Sequence, residues 1–591
     1  MVIRPQKRRK KAKKSFDRID YLRAVIFIFA ALIIVRLADI QIFQHSFYEA
    51  LAAGQHSLYE KLLPKRGEIY VRDKDESDKL YPLSVNKAYY LVYAEPKRVL
   101  DPEKTARLLA PILKEEEEDA EEVEKEILSR LQKQNDLYEP LKHQVSEELV
   151  EEIKKLELAG IEFQEELYRF YPEKNIGSHV LGFVGFKNDQ RIGQYGLEGY
   201  WEKELAGETG FLQAEKDAQG RWITFGTKLI EEAKDGDDLV LTLDHIIQYE
   251  TCKQLNSEVE KHGADGGSII IMNPQTGAVL AMCGSPDFDP NNYNEVEDVN
   301  VFINPATFYI YEPGSVFKPI TMAAALDQGK VSPNTTYEDT GSVEIGKYTI
   351  KNFDAKAHGV NTMTEVLEKS LNTGAIFAAR QVGPEVFEDY VKRFGFGQKY
   401  GLELASEAQG NISTLAKHKE IYMATGSFGQ GISVTLLQLT NAFGAIANGG
   451  KLMKPYIVDE IIKPNGTSLK TEPRLIRQVI SSQTATTLGA MLVNVVRHGH
   501  GKRAGVPGYF VAGKTGTAQV PREDGPGYDP DHTIGSFCGF APVDDPVFVM
   551  CVKMDRPRTV QWAESTAAPL FGSLARFMLN YYGIPPEERV E

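Results

Sequence analysis

At 591 residues the chain is too long for a single core and predicts two or three domains. Its 42% hydrophobic and 26% charged residues exclude a disordered or fibrous chain. The net charge of −15 is uneven: residues 1–23 hold ten Lys or Arg against Asp17 and Asp20, so the remainder carries −23, which excludes nucleic acid as a partner.

The first predicted element is a membrane anchor. Ala24–Val35 (AVIFIFAALIIV) is unbroken apolar sequence but shorter than a bilayer requires. Tyr21–Phe43 has the length, with Arg23 and Arg36 able to snorkel toward headgroups. Ala50-Leu51-Ala52 fits a signal-peptidase pattern but starts late, 15 residues past Val35. The reading is a basic cytoplasmic tail (1–20), an uncleaved signal anchor (21–43) in the bacterial inner (cytoplasmic) membrane, and everything later outside the cell membrane.

Residues 44–235 read as a pedestal or docking module without catalytic spacing. A strand-like region starts at Pro64–Tyr70, and Ala88–Ala94 (AYYLVYA) is β-prone. Residues 101–160 take helical spacing with solvated acidic faces (KEEEEDAEEVEKEILSRL), and 161–235 mix short strands with turns. Asp235–Asp238 marks a boundary, giving a second module over 236–582 and a tail over 583–591.

In that module LVLTLD (239–244) is a strand and a helix follows to about Lys261. Residues 266–286 form a hairpin around Asn273–Gly277. Helix-prone stretches follow Ser315, precede Ser370 and span Leu436–Ala447, the last closed by Asn448-Gly449-Gly450. Tyr509–Gln519 is a strand. The pattern predicts an α+β fold with helices packed on a mainly antiparallel sheet.

Four cysteines are too few for a disulfide framework. Cys252 and Cys283 read as small apolar residues. Cys538 and Cys551 are equidistant from Asp544-Asp545 and would face each other across a simple hairpin, but Pro542 and Pro546 are expected to shift the register, which argues against a bridge.

Three strings carry the chemistry: Ser315-Val316-Phe317-Lys318, Ser370-Leu371-Asn372 and Lys514-Thr515-Gly516-Thr517. In this order they are the parts of a serine acyl-transfer site. A serine hydroxyl needs a base, and a lysine becomes one when burial and a second cation lower its pKa. Ser315 and Lys318 stand at i, i+3, and Lys514 is the second cation. Pro313-Gly314 suits a turn that delivers Ser315 to a helix N-terminus. Ser370 and Asn372 are expected on a neighbouring loop, relaying a proton and orienting substrate. Gly516 is expected to let a substrate backbone approach, with Lys514, Thr515 and Thr517 binding a carboxylate.

Other patterns read as ordinary structure. His498-Gly499-His500 lacks ligand spacing and reads as a polar loop, so no metal is expected. Gly429-Gln430-Gly431 reads as a turn, and Pro521–Asp531 as a hairpin connection with gating as the alternative.

The segments EPGSVFKPITMAAALDQG, KSLNTGA, SFGQGISVTLLQL, GYFVAGKTGTAQ and SFCGFAP resemble the transpeptidase domain of class B penicillin-binding proteins. KRGEIYVRD, YPEKNIGSHVLGFVG and GLEGYWEKEL are similar to that family's pedestal (dimerisation-like) domain. Length, anchor and motif spacing are most similar to the division-specific (septal) peptidoglycan D,D-transpeptidase.

The resemblance implies a β-lactamase/transpeptidase-like domain on an elongated pedestal, acting without a cofactor. It implies that Ser315 is acylated by the D-Ala-D-Ala stem peptide, or by a β-lactam, with Lys318 as base. Ser370, Asn372 and Lys514 assist, and Thr515, Gly516 and Thr517 contact substrate. An amine on a second stem peptide accepts the acyl group. The stretch 45–235 is too short and charged for a glycosyltransferase, so a membrane glycan polymerase and divisome proteins are the expected partners. Open alternatives are the elongation-specific class B enzyme, a D,D-carboxypeptidase or other hydrolase, and a β-lactam-sensing protein; no carboxylate stands out for the water that hydrolysis needs. Ser370-Leu371-Asn372 has Leu where some relatives have Asp.

Overall fold

The structure is a computed structural model describing residues 57–588 and Phe29, apart from 75–78, 116–117, 134–135, 188–189, 216–227, 523–524 and 526. The expected span 21–43 therefore lies outside the described residues but for Phe29. Among the described residues no helix is long and apolar enough to cross a membrane.

A five-stranded sheet organises the second module. Its strands are β1 (Gly266–Met272), β2 (Val279–Ser285), β3 (Ala512–Pro521), β4 (Tyr528–Ala541) and β5 (Phe548–Asp555), in the order β2-β1-β5-β4-β3. Every pairing is antiparallel, as expected. All seven residues of β1 are buried, because both faces of the sheet are covered. Ile269 and Ile271 join a core with the helices His245–His262 and Ala567–Tyr581, while Ile270 and Met272 join one with Leu436–Ala447. The expected 266–286 hairpin is β1–β2.

Helices Pro102–Leu113, Ala120–Leu131 and Glu147–Lys154 fall in the segment read as helical, but Glu139–Val145 within it is a strand. It pairs with Tyr81–Ala94, which contains the predicted Ala88–Ala94 strand. Cross-strand pairing there overrides a charged composition that favours helix. The expected strand at 239–244 is Asp238–Asp244. It runs parallel to Ile69–Arg72 and antiparallel to Val458–Ile462, within one seven-stranded sheet. A second compact unit contains a three-stranded antiparallel sheet of Ser57–Leu62, Gly210–Glu215 and Lys228–Glu231.

All four cysteines are paired, correcting two expectations. Cys252 and Cys283 form a disulfide between the helix His245–His262 and β2 rather than acting only as small apolar residues. Cys538 and Cys551 are also bridged. They are direct partners across β4 and β5, and the last rung of that ladder is Ala541↔Phe548. Pro542 and Pro546 lie in the connection beyond that rung and leave the register intact.

Candidate active site

Ser315 sits in a tight 3-10 turn, Gly314–Phe317, that runs directly into the helix Lys318–Asp327. Gly314 has φ +59°, a conformation that favours glycine, and a Cβ there would lie 3.2 Å from the Thr517 carbonyl of β3. Its N–H donates to the Gly429 carbonyl at 3.1 Å. Gly429 is as tightly placed: a Cβ on it would lie 2.2 Å from the Gly314 carbonyl. The Gly429-Gln430-Gly431 turn thus braces the turn that carries Ser315.

Ser370 lies between the helices Met363–Glu368 and Asn372–Val382, the first opened by a Thr362–Glu365 capping box. Asn372 is the first residue of the second helix rather than part of a loop. Its Nδ2 donates to the Lys351 carbonyl at 3.0 Å, although the residue lines the cleft. Ser370 adopts φ +57°, a left-handed conformation uncommon for a residue with a side chain. There its hydroxyl receives both lysines. Lys318 Nζ donates to Ser370 Oγ at 3.2 Å and to the Ser370 carbonyl, and Lys514 Nζ donates to Ser370 Oγ at 3.0 Å.

The two lysines are 1% and 0% exposed. Burial, then the Lys514 charge, pushes Lys318 well below the usual lysine range, and burial lowers Lys514 to about 7. Ser315, Ser370, Asn372, Thr515 and Thr517 line one cleft of about 830 Å³. The three strings separated in sequence therefore meet at one place.

Gly516 is tightly enclosed. A Cβ there would lie 2.8 Å from Ser536 Oγ, 2.9 Å from the Pro313 carbonyl and 2.9 Å from Val316 Cβ. Ser536 and the protein's own serine turn fill the space that a side chain would take. Gly516→Ala should displace that turn and slow Ser315 acylation by about a hundredfold, read by stopped-flow with a fluorescent penicillin. Acylation within twofold of wild type would refute this reading.

Thr517 Oγ1 accepts from the Ala563 N–H at 3.3 Å, so its hydroxyl is positioned from outside the strand. Of the segment Pro521–Asp531 in the β3–β4 hairpin, Pro521 ends β3 and pairs with Tyr528, and Tyr528–Asp531 open β4, so both of its ends are strand. Glu312 was not singled out by sequence. It accepts from Tyr528 Oη at 2.8 Å and from the Gly431 N–H at 2.9 Å, joining that hairpin to the bracing turn. Its signal was adjacency to Pro313-Gly314-Ser315. Among the described residues no group of three or more His, Cys, Asp or Glu is placed to hold a metal.

Residues 267–576 match the penicillin binding protein transpeptidase domain, more than half the chain, and residues 61–241 match the penicillin-binding protein dimerisation domain. The chain is a class B penicillin-binding protein. Its activity is that of a serine-type D,D-transpeptidase. Relatives of this penicillin-binding protein include stage V sporulation protein D of Bacillus subtilis, 36% identical over 94% of this chain and 84% of the relative. Penicillin-binding protein PbpB of Mycobacterium tuberculosis is 31% identical over 95% and 84%. Penicillin binding protein 3 of M. tuberculosis, solved in complex with ampicillin, superposes with TM-score 0.68 at 27% identity, over 90% of this chain and 98% of that one.

Proposed function

We propose that this penicillin-binding protein cross-links peptidoglycan through an acyl-enzyme on Ser315 and is a β-lactam target. The convergence of two buried amines on Ser370 Oγ, in the cleft that Ser315 lines, carries the reading. Ser315 Oγ attacks the carbonyl of the penultimate D-Ala, and its proton passes to Lys318 Nζ. The peptide C–N bond breaks, and the departing D-alanine nitrogen takes that proton through Ser370. An acceptor amine then forms the new C–N bond, the ester C–Oγ bond breaks, and the amine's proton returns to Oγ. Thr515, Thr517 and Lys514 hold the terminal carboxylate, Asn372 orients the peptide, and the N–H groups of Ser315 and Thr517 stabilise the oxyanion. Penicillin binding protein 3 of M. tuberculosis has been solved complexed with aztreonam and with ampicillin, which supports β-lactam binding by this chain.

The division into a pedestal (44–235) and a transpeptidase domain (236–582), the 21–43 anchor in the cytoplasmic membrane and an extracytoplasmic site belong to the same proposal, with a glycan polymerase and divisome proteins as partners. The role proposed is septal synthesis during cell division. A sporulation-stage role is the second reading, favoured by the name of the 36% identical relative. Depletion during vegetative growth separates them: filaments support division, round cells an elongation role, and normal growth a sporulation role.

Intact mass after labelling with fluorescent penicillin, followed by peptide mapping, tests the chemistry. One adduct on Ser315 is expected; an unmodified Ser315 in folded protein overturns it.

A further inference from the structure

Two contacts outside the serine–lysine cluster join the cleft's walls at one end. Trp562 meets Phe353 edge to face with ring centroids 4.9 Å apart, and Glu564 Oε2 lies 3.1 Å from His500 Nδ1. All four residues line the cleft.

Phe353 and His500 belong to the Ser370 wall. Phe353 follows the strand Tyr348–Lys351, whose Lys351 carbonyl accepts from Asn372. The His500 N–H donates to the Glu368 carbonyl at 3.4 Å, and a Cβ on neighbouring Gly499 would lie 2.4 Å from the same oxygen. Trp562 and Glu564 belong to the Thr517 wall. The Ala563 N–H between them donates to Thr517 Oγ1, and the Gln561 carbonyl accepts from Thr533 Oγ1 at 2.6 Å. Segment 561–564 is thus a strap fixed to β3 and β4 that reaches the opposite wall, and it presents a half-exposed carboxylate to the cleft.

The transfer step gives that carboxylate a use. An acceptor amine arrives in neutral water as an ammonium ion. By microscopic reversibility its nitrogen takes the place vacated by the nitrogen of the departing D-alanine. The strap docks on Thr517, one of the residues proposed to hold the departing carboxylate, so Glu564 shares that wall of the cleft. Glu564 can exchange His500 for a cation brought by the ligand, because both side chains are accessible from the cleft.

We propose that Glu564 is the recognition residue for the acceptor ammonium, with His500 holding its carboxylate in position until the acceptor binds. The proposal rests on the Ser315 acyl-enzyme reading and adds where its second substrate is recognised.

The test uses the full-length protein in detergent, a D-alanyl thioester as donor and D-alanine as the amine probe. Transfer to the amine and hydrolysis of the thioester are measured together across amine concentrations. Glu564→Gln should raise the half-saturating amine concentration about tenfold, and Glu564→Asp should recover part of the loss. An unchanged half-saturating concentration overturns the proposal, as does an equal loss of transfer and hydrolysis, which marks a merely structural role. If Glu564→Gln does not fold, His500→Ala decides: freeing the carboxylate should lower the half-saturating concentration, and no change or a rise overturns the proposal. Failure of the serine reading would show separately, as wild-type protein that penicillin leaves unmodified at Ser315.

Discussion

Replacing Lys318 by methionine should slow formation of the penicillin adduct about a thousandfold and, in the same protein, raise the thermal midpoint by about 2 °C or more. Both effects have one cause. Lys318 is buried beside Lys514, so the folded protein binds its proton more weakly than the unfolded chain does. Between that lowered value and 10.5 the unfolded state holds a proton the native state lacks. Stability therefore rises with pH across this window, and at neutral pH the amine destabilises the fold. A thioether of similar shape removes that cost and, on the proposed mechanism, takes away the base of Ser315. The wild-type acylation rate should climb with pH as Lys318 loses its proton, whereas the methionine variant should lose this dependence. Differential scanning calorimetry beside stopped-flow acylation provides both readings. A variant that is less stable and acylates normally would show that Lys318 serves packing alone.

Glu198→Ala should cost about 3–5 kcal/mol of stability, the largest structural effect expected outside the cleft. Glu198 is fully buried and accepts from Arg66 Nε at 2.7 Å, Arg169 Nε at 2.6 Å and Ser84 Oγ at 3.1 Å. Burial works against its charge, but Arg169 and Arg66 outweigh it and hold the carboxyl below its ordinary range. Arg169 Nη1 and Nη2 are buried without another partner, so alanine would strand a guanidinium away from water. The contribution is present above the ordinary carboxylate range near 4.5 and disappears as pH falls through the lowered folded value. Circular dichroism during heating at pH 7 should show an earlier transition in the variant, with the gap narrowing in acid. An unmoved transition would refute the network's role.

The three strings that meet at the cleft were legible in sequence because each is short and local. The hairpin of β1 and β2 was legible for the same reason: its two apolar runs flank a turn signal. For Gly516 the sequence shows that a side chain is missing, but not that Ser536, Pro313 and Val316 occupy the space it would take. Segment 561–564 and Glu312 escaped notice because their roles depend on contacts over long separations, such as Ala563 with Thr517 and Glu312 with Tyr528. The cysteine pairs were missed on two grounds. Cys252 and Cys283 meet through packing of a helix on a strand, which spacing does not reveal. For Cys538 and Cys551 the facing geometry is visible in sequence, but not that the ladder ends at Ala541↔Phe548, before Pro542 and Pro546 can disturb it.

The strand Asp238–Asp244 is held on one side by Ile69–Arg72 and on the other by Val458–Ile462. The transpeptidase match begins only at residue 267, past this strand. A fragment trimmed to the matched span would strip Val458–Ile462 of a neighbour and leave its amide groups open to pairing with other molecules. The cleft-bearing fold thus depends on a strand that precedes the matched span to seal one of its flanks, so an excised fragment has to start before Asp238.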